Sequence, residues 1–411
     1  MRILMLSQWF DPEPAFKGMA FAKELVSLGH QVEVLTGFPN YPGGKLYDGY
    51  RVRLLQREVM DGITVIRVPL YPSHDSSALK RIANYLSFAF SAAILGTFLI
   101  KPADVMYVYH PPATVGFAAA FIGFIRRIPF VYDIQDLWPD TLGATGMLNN
   151  HSVLKLVDVG CHFVYRQAAK LVVLSPGFKK TLCTRGIPEE KIDVIYNWCD
   201  EVQQSPDRDE ALAGEINMAG RFNLVFAGTM GKLQALDAVL DAAKLVAMSQ
   251  PEIQFVFIGG GIEVVRLKAR VDAEGIDNCL FLSRRPVAQI GQILGLADVL
   301  LVHLRDEPLF RITIPSKTQA YMAARRPILM AVRGDAADLV KSANAGICCS
   351  PEAPEDIAKA VLDLYSMPKQ YREQMGINGQ EFYDRKLSLK VGTAQFDRLF
   401  HTTIHQMHGE K

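Results

Sequence analysis

The sequence lacks several features that would announce a function outright. Its 44 lysines and arginines are offset by 43 aspartates and glutamates, leaving a formal net charge of +1. A protein that grips nucleic acid by its phosphates needs a basic excess, so this balance argues against that partner. Six cysteines stand in 411 residues, at Cys161, Cys183, Cys199, Cys279, Cys348 and Cys349, with no Cys-x-x-Cys pair. No zinc-type spacing results, and adjacent Cys348 and Cys349 do not resemble a metal site. The expectation is a reduced, cytosolic compartment and no metal. No signal peptide is expected either, because residues 1–6 run directly into a strand that Trp9-Phe10-Asp11-Pro12 ends. Gly-x-Gly-x-x-Gly is also missing, which removes the usual dinucleotide fingerprint. With 49% hydrophobic and 21% charged residues, what remains is a globular chain with large cores in two or three domains.

What is present is a succession of strand-length apolar runs alternating with helical periodicity. The most informative run lies past the middle. Residues 223–227 (Asn-Leu-Val-Phe-Ala) have strand length, and Gly228-Thr229-Met230-Gly231-Lys232 forms a glycine turn carrying a cation. Residues 234–245 then place Leu236, Val239, Leu240, Ala243 and Leu245 close to helical spacing. Strand, glycine turn and helix open a nucleotide-binding βα unit, in which backbone approaches a phosphate at a helix N-terminus. An ordinary βα turn of any parallel sheet reads the same way.

Pro315-Ser316-Lys317-Thr318 is the second such stretch. The proline fixes the approach, Ser316 is placed to cap a helix, and Lys317 falls in its first turn. A cation there opposes the helix dipole, which makes sense if an anion occupies the site. The two loops together are expected to clamp a diphosphate. A solvated surface lysine is the plain alternative.

In the first half, residues 2–7, 31–35, 105–108, 130–133, 171–174 and 192–196 read as strands, and 19–28 as a helix. Gly18 is the one glycine in the loop before that helix. It either brings backbone close to a ligand or relieves a crowded helix start. Residues 39–101 read as looser, with no strand assigned. Residues 82–100 carry no charge, long enough for a membrane span. A span would place 2–35 and 105–108 on opposite sides of a bilayer, although both look like strands of one sheet. That leaves a buried helix, or one lying in the interface with Lys80 and Arg81 at headgroups. His110 follows a strand, where it can move a proton or simply bond a backbone carbonyl. Asp133, Asp136 and Asp140 gather with Trp138 at a sheet edge, for acid/base work or as helix caps at Asp136 or Asp140.

In the second half, residues 203–214 read as a linker. Further strands fall at 254–258, before Gly259-Gly260-Gly261; at 279–282, before Ser283-Arg284-Arg285-Pro286; and at 299–302, ending at His303. Two more fall at 327–331 and from 345 onward. The βαβα order makes each half a doubly wound parallel α/β sheet.

Five stretches together resemble family 4 glycosyltransferases of the GT-B architecture, two Rossmann-like domains facing across a cleft. They are Trp9-Phe10-Asp11-Pro12-Glu13-Pro14, Gly37-Phe38-Pro39-Asn40-Tyr41-Pro42-Gly43-Gly44, Asp136-Leu137-Trp138-Pro139, residues 228–234 and residues 314–323. More narrowly, the chain looks like bacterial O-antigen or capsule enzymes labelled L-fucosamine transferases.

The resemblance implies metal-independent, retaining transfer from a uridine diphosphate sugar, with no cofactor. It implies that Lys17 and Gly18 approach the donor sugar and phosphate, that Arg285 lies by the base, and that His110 is the active-site histidine. Gly228, Thr229, Lys232, Gln234, Arg311, Pro315, Ser316, Lys317 and Gln319 complete the expected donor site. Asp136 and Trp138 are expected at the acceptor, a saccharide on undecaprenyl diphosphate. Peripheral contact with the inner face of a bacterial plasma membrane follows from that acceptor.

The chain departs from the family pattern where Thr229 replaces an arginine and Gln234 a lysine. Its paired glutamates are missing near Ile312 and Ala320, which leaves Gln319 or backbone amides to hold ribose and sugar. The expected domains are 1–202 for the acceptor, 203–385 for the sugar nucleotide, and a C-terminal helix at 386–411 that can cross back to the first domain. A sugar-nucleotide epimerase, or a non-catalytic nucleotide-binding subunit, are the competing classes. The missing glutamate pair motivates the latter.

Overall fold

The computed structural model describes residues 1–73, 78–144, 148, 150–200 and 208–409. Backbone contacts divide the chain into two compact units, Met1–Tyr196 with Gly392–Lys411, and Asn197–Val391. Of the expected linker, residues 203–207 lie outside the described residues. The rest leads into a short helix, Glu210–Glu215, capped by the Asp209 carboxylate, which accepts from the Ala211 and Leu212 amides.

The first unit is built on eight strands, β1 (Arg2–Leu6), β2 (Gln31–Gly37), β3 (Gln56–Met60), β4 (Ile63–Val68), β5 (Val105–His110), β6 (Phe130–Ile134), β7 (Lys170–Val173) and β8 (Ile192–Val194). Their order is β3-β4-β2-β1-β5-β6-β7-β8. Neighbours run parallel except β3, which pairs antiparallel with β4. The β3–β4 hairpin corrects the reading of residues 39–101 as strandless. Asp61 and Gly62, both at positive φ, form its turn, a strong hairpin dipeptide. β3 lies at the sheet edge and alternates half-buried with exposed residues, so it shows no continuous apolar run.

Strand order decides where the helices lie. The steps β4 to β5, β5 to β6 and β6 to β7 all advance in one direction. Right-handed crossovers therefore put their helices on one face of the sheet. The first comprises Ala78–Ser91, a π-turn at Ala92–Gly96, and Thr97–Leu99. The second and third are Thr114–Arg126 and His151–Gln167. The first is long and apolar enough to cross a membrane. It nevertheless leads from β4 to β5, and both belong to one sheet, so no bilayer separates its ends. The step from β1 to β2 runs the other way and sends Met19–Ser27 to the opposite face. There Phe21 meets Tyr107 edge-on at 5.1 Å and Phe396 at 5.2 Å, the latter from the helix Leu389–Gly409.

The second unit has six parallel strands, β9 (Phe222–Thr229), β10 (Ile253–Gly260), β11 (Cys279–Ser283), β12 (Val299–His303), β13 (Ile328–Ala331) and β14 (Gly346–Cys348). Their order, β11-β10-β9-β12-β13-β14, is that of a Rossmann sheet. The order reverses between β9 and β12, and sheets of this kind take ligands beyond the carboxyl ends of the strands at that point. Leu224, Phe226, Phe255 and Phe257 of the sheet are buried with Val239, Leu240 and Val246 of the helix Asp237–Ala247. Each fully buried side chain of this size contributes about 1.5–3 kcal/mol.

Candidate functional site

At the reversal point the structure departs from the local expectation. β9 continues through Gly228 and Thr229, which are strand rather than turn. A short 3-10 turn, Lys232–Gln234, follows, and the helix begins only at Asp237. The Gln234 side chain accepts from the Gly231 amide at 2.9 Å, so it closes its own turn and is not directed at a donor. Lys232 is exposed and borders a hollow of about 460 Å³ with Asp237, Asp241, Arg266 and Arg305, which Lys317 does not line. Of the two loops expected to clamp a diphosphate, Gly228 at the end of β9 is brought to Lys317, and Lys232 lies away from that pair.

Lys317 is the group that the fold brings to Gly228. It lies in the first turn of the helix Ser316–Ala323. Tyr321, one turn further on, pins that helix to β9: its hydroxyl accepts from the Ala227 amide at 2.9 Å and donates back to the Ala227 carbonyl at 3.3 Å. The Lys317 ammonium lies 3.7 Å from the centroid of the Phe226 ring. Its Nζ is shielded from solvent and has no hydrogen-bond partner among the described residues. Burial pulls its pKa down from the ordinary lysine value to about 7. The solvated surface lysine is thereby excluded. Gly228 has φ +133°, and a Cβ there would stand 3.0 Å from the Lys317 nitrogen. Gly259, its partner across the ladder, has φ +139°, and a Cβ there would stand 2.1 Å from the Gly228 carbonyl oxygen. Both positions need glycine, and together they leave bare backbone beside a cation.

The helix that carries Lys317 starts at Pro315 as N-cap, with no side-chain cap bond, so Ser316 is not the cap that the sequence suggested. In its first turn the Thr318 amide donates to the Pro315 carbonyl at 2.9 Å, while the Ser316 and Lys317 amides come before any intrahelical acceptor. Gln319 is buried; with its amide nitrogen turned to the helix start it donates to the Pro315 carbonyl at 2.9 Å and the Ser316 carbonyl at 3.3 Å. That use replaces the expected ribose contact. Arg311 is exposed and paired with Asp306 at 2.9 Å. Arg285 follows β11 at the outer edge of the sheet, half-buried. His303, which sequence reasoning left without a role, ties β12 to the 3-10 turn. Its Nε2 accepts from the Glu352 amide at 3.1 Å, which makes Nδ1 the protonated nitrogen, donating to the Gln234 carbonyl at 2.7 Å.

In the first unit the carboxyl ends of β1, β2, β5 and β6 hold the other candidates. His110 is the last residue of β5 and pairs in register with Ile134. Its ring stands edge-on to Trp138 at 5.6 Å and to Tyr132 at 5.8 Å. It is buried, Nδ1 has no partner among the described residues, and burial pushes its pKa down to about 3. The imidazole is neutral at physiological pH, a hydrogen-bonding group rather than a charge.

The three carboxylates do not gather. Asp133 is buried inside, where its Oδ2 accepts from Lys17 at 2.6 Å and Tyr107 at 2.7 Å, and its Oδ1 from Gln135 at 2.7 Å. Asp140 pairs with Arg185 at 2.7 Å. Asp136 is half-buried beside the Trp138 loop, its carboxyl pushed upward by burial alone. Among the described residues no three His, Cys, Asp or Glu side chains cluster as metal ligands.

Lys17, expected at the donor, is turned into the interior instead. Its side chain has no exposure, and its ammonium lies on Asp133 and over Phe396 at 4.9 Å. Its charge is already matched. Gly18 sits where a Cβ would come 2.3 Å from an Asp11 carboxylate oxygen, which also caps the Met19 amide at 2.7 Å. Crowding at the helix start explains it. The Trp9–Tyr41 stack at 4.4 Å and the buried Glu13 beneath it join the loops after β1 and β2. Glu13 accepts from the Asn40 and Tyr41 amides at 2.5 and 2.6 Å, and burial pushes its pKa up to about 7.

Comparison with known proteins covers both units. Residues 19–198 match the family described as Glycosyl transferase 4-like domain, and residues 208–382 match Glycosyl transferases group 1. The Pseudomonas aeruginosa protein WbjE, named as a glycosyltransferase, is 26% identical over 320 residues, covering 75% of this chain and 79% of its own. The Escherichia coli (strain K12) protein WcaI, named for colanic acid biosynthesis, is 22% identical over 384 residues, covering 90% and 93%. A crystal structure of Anabaena Alr3699/HepE in complex with UDP-glucose superposes with a TM-score of 0.71 at 17% identity, covering 98% of this chain and all of that one. The two Rossmann-like units are those of the GT-B fold.

Proposed function

We propose, on the premise that this chain belongs to the family 4 glycosyltransferases of group 1, that the group it moves is an N-acetylated deoxyhexosamine or hexosamine carried on uridine diphosphate. Transfer proceeds with retention of configuration onto a saccharide linked to undecaprenyl diphosphate, in the assembly of a bacterial surface polysaccharide. The work is done on the cytoplasmic side, at the inner face of the plasma membrane. The relatives' names support the polysaccharide setting, and the UDP-glucose bound by HepE supports the donor class.

One observation carries the donor reading: a lysine ammonium out of water, without a hydrogen-bond partner among the described residues, beside an open glycine backbone at the reversal point of the sheet. A buried unpaired cation is costly, and its cost is recovered when an anion arrives. Breaking the sugar–phosphate bond leaves added negative charge on the diphosphate. Lys317 and the first-turn N–H groups of its helix are aimed where that charge grows. Because protein groups supply this stabilisation, the transfer is read as metal-independent. His110, neutral and open at Nδ1, serves as the polar group at the reacting hydroxyl. Asp136 and Trp138 hold the acceptor.

A mass-spectrometric screen of uridine diphosphate sugars with the purified chain and a lipid-linked acceptor, followed by NMR spectra of product and remaining donor to read their stereochemistry, tests this. The expected product carries the donor's anomeric configuration. Epimerised donor formed without acceptor would make the chain an epimerase. Nucleotide binding with no product on any acceptor would make it a binding subunit.

A further inference from the structure

Three neighbouring helices of the first unit present apolar side chains to solvent where a doubly wound sheet normally shows polar ones. On the segment 79–99, Leu79, Ile82, Leu86, Phe90, Ile94 and Phe98 are exposed, at successive spacings of three or four residues. Those spacings trace one outward stripe. The inward side of the same segment is filled by Asn84, Phe88, Ala92, Gly96 and Thr97, all buried. The stripe therefore adds to an already complete core contact.

Thr114–Arg126 repeats the pattern with Phe117, Phe121 and Phe124, and His151–Gln167 with Leu156, Val159 and Phe163. The exposures reach 82% at Phe98 and Phe124 and 70% at Leu156. The stripes adjoin. Phe117 and Phe163 stack at 6.0 Å with planes 12° apart, and the Arg126 guanidinium donates to the Thr97 carbonyl at 2.6 Å. The crossover rule had already put the three helices on one face.

Charge on these helices is one-sided. Residues 78–101, 114–127 and 151–167 carry seven lysines and arginines against a single acid, Asp158, although the whole chain is balanced. An apolar face set among cations matches one surface in particular, a bilayer whose headgroups are anionic. A second protein copy bearing the same face would bring like charges together.

We infer that this three-helix face docks the first unit on an anionic phospholipid bilayer, with the phenylalanines entering the headgroup–acyl boundary and the basic side chains on the phosphates. The face lies flat on the membrane and does not span it, because each helix keeps its other side on the sheet. Its purpose rests on the reading of a lipid-linked acceptor, but its existence does not.

Flotation of the full chain with lipid vesicles tests it. The chain should float with vesicles containing about one-third phosphatidylglycerol, and much less with pure phosphatidylcholine. Salt at about 0.5 M should reduce binding without abolishing it, since screening removes the charge contribution only. The combined substitutions Phe98→Glu, Phe124→Glu and Leu156→Glu fall on exposed positions that the fold does not need. They should lower vesicle partitioning at least about tenfold and leave transfer to a lipid-free acceptor unchanged. Wild-type chain that stays unbound with both vesicle types overturns the inference, as does a triple variant that floats like wild type. A wild-type dimer in gel filtration that the triple variant converts to monomer, without vesicle binding, assigns the face to a second copy and overturns it too. If vesicle binding holds while transfer fails on every acceptor, the proposed function falls and the membrane face stands.

Discussion

The ammonium of Lys317 lies against the face of Phe226, 3.7 Å from the ring centroid. The aromatic face is a holding place for a cation that lacks a better partner. In the proposed function a diphosphate oxygen is that better partner. Lys317→Ala should therefore weaken uridine diphosphate binding by on the order of 1–3 kcal/mol, roughly 5- to 150-fold, in titration calorimetry. An unchanged dissociation constant would remove the lysine from the donor site.

The same lysine predicts a pH dependence. Its free-state pKa is pulled down to about 7, so it is increasingly neutral as the pH rises past that value. A bound diphosphate favours the charged form and raises the pKa. Binding above pH 7 must then take up a proton, and affinity should fall about tenfold per pH unit between pH 7.5 and about 9. Calorimetry in buffers of different ionisation enthalpy at about pH 8.5 should show uptake of close to one proton, absent in Lys317→Met. A flat affinity profile for the wild type would contradict the assignment.

His110→Ala should lower turnover by two orders of magnitude or so while donor affinity stays near wild type. Burial keeps the imidazole neutral down to about pH 3, so the rate profile of the wild type should carry no inflection near pH 6.5 that His110→Asn removes. If turnover survives the alanine substitution, the neutral imidazole has no part in transfer.

Lys17 should behave as a structural group. Lys17→Met leaves Asp133 charged and buried, which costs on the order of 3–5 kcal/mol. Hydrogen exchange at the amides of β1 and β6 should accelerate accordingly, and donor affinity of the folded fraction should not change. Adding Asp133→Leu should recover much of the loss, because it removes the orphaned charge. A loss of donor affinity without faster exchange would return Lys17 to the donor site.

Glu13 makes the loops after β1 and β2 sensitive to pH. Its pKa is raised in the folded unit to about 7, so its stabilising contribution is complete below the ordinary glutamate value near 4.5 and is lost as pH rises through 7. Glu13→Gln keeps a carbonyl acceptor for the Asn40 and Tyr41 amides. The variant should gain stability relative to wild type between about pH 5 and 8, by on the order of 1–3 kcal/mol in urea melts. A difference independent of pH would show that the carboxyl does not titrate there.

The strand runs, the doubly wound architecture and the pairing of the Lys317 helix with the Gly228 strand were legible in the chain, because apolar period and glycine placement are local properties. Lys17 was not, for its partner Asp133 lies 116 positions away and only folding brings the two together. Lys232 and Gln234 misled for a related reason. A glycine turn and an apolar period look alike whether the helix starts at once or after a 3-10 turn. The β3–β4 hairpin left its Asp61-Gly62 signal in plain view, but an edge strand half in water has no apolar run to draw notice. The outward stripes of Thr114–Arg126 and His151–Gln167 were hidden because those helices are apolar on both sides, and only burial separates the two.

The first unit is completed from two distant parts of the chain, since Gly392–Lys411 belongs with Met1–Tyr196 and Phe396 closes the ring cluster of Phe21 and Tyr107. On the ribosome, every residue of the second unit emerges before that phenylalanine does. The nascent first unit must wait with Tyr107 and the Lys17–Asp133 pair uncovered until translation reaches residue 396, and a chain stopped between residues 391 and 396 would hold every residue of the second unit beside a first unit whose ring cluster is never closed.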